Sequence, residues 1–153
     1  RNNICDTSGA LSHHCFGISA PASSPSPSQI RIFHNTAYSA DSGNNFVLVD
    51  IDPAVTNVTV QNNLAYAPND TRNELIAGPG ALGAVVSNNS DASQVLSVSP
   101  QWNAAMPTVP AEFDLTAGSY AMGQGTVVPV FSDFFRRVRP WGGGVDLGAA
   151  ERP

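Results

Sequence analysis

The apolar residues in the first ninety positions do not recur at helical spacing. They come in short alternating runs: Ile30 and Ile32, then Val58 and Val60, each pair separated by a polar residue. Period two with β-branched residues predicts strands that bury one face. Ile30-Arg31-Ile32-Phe33-His34-Asn35-Thr36-Ala37-Tyr38 aligns with Val58-Thr59-Val60-Gln61-Asn62-Asn63-Leu64-Ala65-Tyr66 at an offset of 28 residues. Arg1-Asn2-Asn3-Ile4-Cys5 fits as the tail of an earlier copy, and Val85-Val86-Ser87-Asn88-Asn89 as a weaker later one. The Asn after each strand suits a tight bend, because Asn tolerates left-handed backbone and its amide reaches nearby main chain. Stacked on its equivalents, it can also build a hydrogen-bonded ladder.

A second run precedes each copy, Phe16-Gly17-Ile18-Ser19 and then Phe46-Val47-Leu48-Val49, joined onward by Pro-containing turns. If Phe16, Ile18, Phe46 and Leu48 point inward, then Gly17, Ser19, Val47 and Val49 point outward. One unit thus reads strand, turn, strand, Asn bend, short strand, loop, which is one turn of a three-sided solenoid. A β-sandwich of hairpins is the competing architecture. It would show two-residue Asn-Gly or Asp-Gly turns, which this sequence lacks. The expected fold is therefore all-β, a parallel β-helix of three to four coils over residues 1–96. Residues 97–153, rich in Pro and Gly, are expected to cover the last coil, with Trp102, Phe113, Phe131, Phe134, Phe135 and Trp141 as aromatic plugs.

Composition narrows the function. Charged residues are 12% of the chain, the net charge is −5, and the seven basic residues are all Arg. A nucleic-acid partner is disfavoured, since phosphate binding needs a basic face and Arg136, Arg137 and Arg139 make only a short cluster. No apolar stretch is long enough for a helical membrane span. The opening residues read as the middle of a repeat, so the expectation is that further coils, or another chain, meet the N-terminal edge. Cys5 and Cys15 bracket a short polar loop, which leaves open a disulfide or two buried thiols. A disulfide would imply an oxidising compartment. Asn57, Asn69 and Asn88 stand in Asn-x-Ser/Thr triplets, expected by chance in an Asn-rich chain.

Two segments near the end of the chain carry a family resemblance. Glu112-Phe113-Asp114-Leu115-Thr116-Ala117-Gly118-Ser119-Tyr120-Ala121-Met122-Gly123-Gln124-Gly125 resembles the DFRLTPGSPAIDAG signature of many secreted bacterial right-handed β-helix proteins. Arg137-Val138-Arg139-Pro140-Trp141-Gly142-Gly143-Gly144-Val145-Asp146-Leu147-Gly148-Ala149-Ala150-Glu151 resembles their terminal GRPRP…GGVDIGAYE. Tyr120, Phe135-Arg136 and Ala150 depart from the pattern. The resemblance implies the pectate-lyase-like superfamily, a right-handed β-helix and a secreted or cell-surface protein. It covers lyases, glycoside hydrolases, uronan epimerases and adhesins, and fold does not choose among them.

The residues give candidates for chemistry. His13 and His14 could act as a general base or ligate a metal, but no partner pair at zinc-site spacing accompanies them. Arg31 could hold a uronate carboxylate, and His34 could be a base, although it shares the bend position of Asn62. Asp41, Asp50 and Asp52 could supply oxygen ligands to Ca²⁺. Tyr38 and Tyr66, one coil apart, could stack on sugar rings or on each other. Asp146 and Glu151 read as structural groups bonding the terminal backbone. The outward residues Gly17, Ser19, Val47 and Val49 offer neither the base and cation of a lyase nor the paired acids of a hydrolase. An active site, if there is one, is expected upstream of this segment. Two readings follow: part of a polysaccharide-active or polysaccharide-binding β-helix protein, lyase first and hydrolase second, or a non-catalytic surface, adhesin or assembly module.

Overall fold

A computed structural model describes residues 1–9, 14–21, 25–42, 46–70, 74–78, 83–90 and 98–152. Nine strands follow one another: β1 Ile4–Asp6, β2 His14–Ile18, β3 Ser28–Phe33, β4 Thr36–Tyr38, β5 Val47–Ile51, β6 Thr56–Gln61, β7 Leu64–Tyr66, β8 Glu74–Ala77 and β9 Val85–Ser87. Every third strand pairs with the next of its kind, giving three parallel three-stranded sheets, β1-β4-β7, β2-β5-β8 and β3-β6-β9. The chain is all-β, with no α-helix among the described residues. The order is consistent with a parallel β-solenoid of three coils. Equivalent Asn residues are 32, 28 and 26 positions apart, so loops absorb differences in coil length while strand register is kept.

Two of the sheets alternate as period two requires. In the third sheet Ile30 pairs with Val58 and Ile32 with Val60, and all four pack in the interior. In the first sheet Ala37 and Ala65 face that interior, while Tyr38, Leu64 and Tyr66 face out into a separate aromatic cluster. The second sheet corrects the expected alternation. Phe46, Val47, Leu48 and Val49 are all buried, so Val47 and Val49 are not outward surface residues. A continuous apolar run marks a parallel strand covered on both faces, and the central strand β5 is of that kind.

Every coil turns from the third sheet into the first through the same bend. Asn2, His34, Asn62 and Asn88 carry φ of 56°, 53°, 59° and 48°, the left-handed region that Asn tolerates best. The next residue is the ladder Asn. The backbone N and side-chain Nδ2 of Asn3 donate to Asn35 Oδ1 at 3.1 and 2.9 Å. Asn35 donates likewise to Asn63 Oδ1 at 2.9 and 2.8 Å, and Asn63 to Asn89 Oδ1 at 2.9 and 2.8 Å. A buried carboxamide is thereby satisfied by the coils beside it.

The C-terminal segment lies against the flank of the coils. Its Trp102, Phe113, Leu115 and Leu147 pack on Tyr38 and Leu64. A strap then crosses the bends in reverse order. Gln124 O accepts from Asn88 Nδ2, Thr126 O from Asn62 Nδ2 at 2.7 Å, Pro129 O from Arg1 Nη1 and Ser132 O from Asn2 Nδ2. The reason is the outward face of the first sheet. Tyr38, Tyr66 and Leu64 there form an apolar surface that must be buried.

Three buried carboxylates hold the segment together. Asp146 accepts from the backbone N of Gly123 and Arg152, at 2.7 and 2.8 Å. Asp133 accepts from Arg137 and from Glu151 N. Glu151 takes Arg139 Nη1 at 2.6 Å, Trp141 N at 2.9 Å and Asp146 N at 3.2 Å. Gly148, at φ 85°, fits against the first sheet where a Cβ would lie 2.6 Å from Thr36 Oγ1. Gly148, Asp146 and Glu151 are what the terminal motif supplies, and Asp133 precedes it.

Candidate functional site

The structure does not bring the histidine and arginine candidates together. His14 is exposed on β2, its Nδ1 3.5 Å from Asp50 Oδ2. Arg31 is exposed on β3, in a different sheet, and makes no ion pair among the described residues. His13 lies outside the described residues. His34 is 1% exposed at a bend, beneath the C-terminal segment. Its Nε2 is 3.0 Å from Asn62 Nδ2. Burial, and after it the Arg139 guanidinium, push its pKa down to about 3, against the backbone carbonyls of Asp146 and Gly148, which favour the proton. A buried neutral imidazole with such neighbours is a packing residue, and no substrate reaches it.

The acids are also dispersed. Asp41 accepts from Gly9 N and Asp52 from Ala54 N, while Asp50 faces His14. Among the described residues no three His, Cys, Asp or Glu side chains gather to hold a metal. Gly17, Ser19, Asp50, Asp52 and Pro53 line a shallow depression of about 240 Å³ on the second sheet. Among the described residues that line it there is no Arg or Lys to neutralise a uronate.

Tyr38 and Tyr66 stack on each other, with ring centroids 6.0 Å apart and planes 19° apart. Trp102 meets both edge-on, at 5.7 and 5.6 Å, and Phe113 closes over Tyr38 at 5.9 Å. Tyr38 is 2% exposed, so its face is unavailable to a sugar. Cys5 and Cys15 are joined by a disulfide with their Cα atoms 5.9 Å apart. It ties β1 to β2 within the first coil.

The site with chemistry to offer is elsewhere. Of the aromatic plugs expected in the C-terminal segment, Trp102 and Phe113 are buried, but Trp141 is 46% exposed and Phe131 74%. Trp141 opens a Gly142-Gly143-Gly144 turn closed by a bridge from Trp141 to Gly144. Met122, Gly123, Trp141, Gly143 and Arg152 border a depression of about 340 Å³ there. Its walls are fixed from below. Trp141 N donates to Glu151, Gly123 N and Arg152 N donate to Asp146, and Arg152 Nη1 donates to Leu115 O. The half-exposed Trp141 indole thus sits on a pinned backbone beside the glycine turn, with the Arg152 guanidinium and the Asp146 carboxylate also lining the depression. The sequence signal was the Trp-Gly-Gly-Gly run. Read as a plug, the Trp hid the fact that three glycines leave nothing to cover it. No protein family, curated protein or solved structure matches the chain.

Proposed function

We propose that the chain is part of a secreted, right-handed parallel β-helix of pectate-lyase-like type, and that it binds polysaccharide without cleaving it. The observation that carries this reading is Trp141, exposed beside a rigid depression with Arg152 on its rim. The parallel sheet order, the Asn ladder and the two C-terminal motifs support the β-helix assignment. The disulfide supports an oxidising, extracellular setting. Catalysis finds less support, because His14, Arg31 and His34 stand apart and the described acids do not pair across an open groove.

The test is a titration with neutral and uronate-containing polysaccharides, read by tryptophan fluorescence. Trp102 is buried, so a saccharide-dependent change reports Trp141. Trp141→Ala is expected to weaken binding roughly tenfold or more while leaving the fold intact. Unchanged affinity in that variant would remove the site. Release of an unsaturated uronate product would replace binding with lyase chemistry.

A further inference from the structure

Four residues hold the left-handed bends of the coils, and three of them are asparagines that grip the strap: Asn2, Asn62 and Asn88 donate through Nδ2 to the carbonyls of Ser132, Thr126 and Gln124. The fourth, His34, turns its buried ring toward Asn62 instead, with Nε2 3.0 Å from Asn62 Nδ2. Asn62 is thereby the point where bend, strap and terminal motif meet. Its Oδ1 accepts from Thr126 N at 2.9 Å, its Nδ2 donates to Thr126 O at 2.7 Å, and its carbonyl accepts from Gly148 N at 2.8 Å.

This geometry dictates the state of the imidazole. A backbone N–H can only donate, so the group facing Thr126 N is Oδ1, and Nδ2 is the group that faces His34. One Nδ2 proton goes to Thr126 O and the other points at the ring. His34 Nε2 must therefore present a lone pair, which leaves the single ring proton on Nδ1. That proton is buried without a partner of ordinary hydrogen-bond geometry, near the carbonyls of Asp146 and Gly148.

A second proton on the ring meets an NH2 group that cannot accept it. The cations facing the ring, the Arg139 guanidinium and more weakly the α-amino group of Arg1, also oppose it. The carboxylates of the C-terminal segment are engaged elsewhere: Glu151 with Arg139 and Trp141 N, Asp133 with Arg137 and Glu151 N, Asp146 with Gly123 N and Arg152 N. Turning the Asn62 amide over would bring Oδ1 to the imidazolium. It would also set Nδ2 against Thr126 N and Oδ1 against Thr126 O, which breaks both bonds to the strap.

We propose that His34 and Asn62 form an acid-sensitive clasp: protonation of the imidazole turns the Asn62 amide and releases the strap at Thr126, while the coils stay folded. One bend of four carries a titratable ring, and the strap senses its charge through a single amide.

The test is the amide-exchange protection factor of Thr126, followed from pH 7 to pH 5. Opening returns the His34 pKa from about 3 toward 6.5, so the opening equilibrium is expected to rise roughly 25-fold over that range. The ladder amides of Asn35 and Asn63 are expected to keep their protection. His34→Gln, whose Oε1 accepts from Asn62 at every pH, is expected to hold the Thr126 protection constant. In the unaltered protein, the imidazole nitrogen shifts at pH 7 are expected to show Nδ1 protonated and Nε2 bare, a measurement that depends on no variant. An equal fall at Thr126 in the Gln variant, an equal fall at Asn35 and Asn63, or a ring protonated at Nε2 would each overturn the clasp.

Discussion

In the coils, the ladder asparagines are satisfied by copies of themselves. Asn35 donates to Asn63 as Asn63 donates to Asn89, and each bend repeats the left-handed backbone of the last. In the C-terminal segment the buried carboxylates are each satisfied by partners of their own. Arg139 lies between Glu151 and the carbonyls of Asp146 and Gly148, and Arg137 forks onto Asp114 while also reaching Asp133. The first arrangement is neutral and tolerates variable loops. The second is charged and made once, so the loss of one member leaves the others without substitutes. Burial pushes the Glu151 carboxyl up and the Arg139 guanidinium down, and their mutual attraction opposes both shifts.

The sharpest way to break this contrast is to remove one charge. Glu151→Ala strands a buried guanidinium and is expected to cost about 4 kcal/mol in urea unfolding. The double substitution Arg139→Met with Glu151→Leu should cost much less, because no unpaired charge remains. If the single and double variants lose equal stability, the segment is held by packing and not by its ion pair. Next in size, Asn63→Leu leaves Asn35 N and Nδ2 without their acceptor and is expected to cost about 3 kcal/mol. The damage should reach the coils on both sides, seen as faster amide exchange at Asn35 and Asn89 together.

Reducing the Cys5–Cys15 disulfide is expected to cost about 2–3 kcal/mol from the short loop it closes, measured as a drop in Tm. The loss should be confined to the first coil, away from the charged segment. The smallest effect joins the two regions through His34. Its folded pKa lies near 3, below the ordinary 6.5, so the unfolded chain takes up the proton first. Stability is therefore fully present above pH 6.5 and falls as the pH drops toward 3. The loss at pH 5 is about 2 kcal/mol. His34→Asn, which matches Asn62 in the same column, should flatten this part of the pH profile. An unchanged slope would assign the acid sensitivity to the carboxylates of the C-terminal segment.

Much of the coil was legible in the sequence because its signals are local. Alternating Ile30 and Ile32 over Val58 and Val60 announced strands, and the recurring Asn announced both bend and ladder. The roles of the two Asn-site residues were not separable beforehand. The left-handed backbone falls on Asn62 and His34, and the carboxamide ladder on the residue after. Val47 and Val49 were misread because period two cannot describe a strand covered on both sides. The candidate site was the least legible. Trp102 and Trp141 look alike as residues, yet one closes over two tyrosines and the other opens onto a glycine turn. That difference depends on contacts more than a hundred residues from the coil edge to the tail, such as Ala149 N to Thr36 Oγ1. Local pattern carries no record of them.

The strap from Gln124 to Ser132 also works as a ruler. Gln124 grips the third coil at Asn88, and Thr126, two residues on, grips the second at Asn62. Two residues of extended chain reach at most about 7 Å. Neighbouring coils are about 4.8 Å apart, so one more coil inserted between them would open a gap of nearly 10 Å. The strap could not bridge that gap without extra residues of its own. Growth by duplication in the middle of the stack is thus forbidden unless two distant parts of the gene lengthen together, whereas lengthening from the first coil meets no such limit.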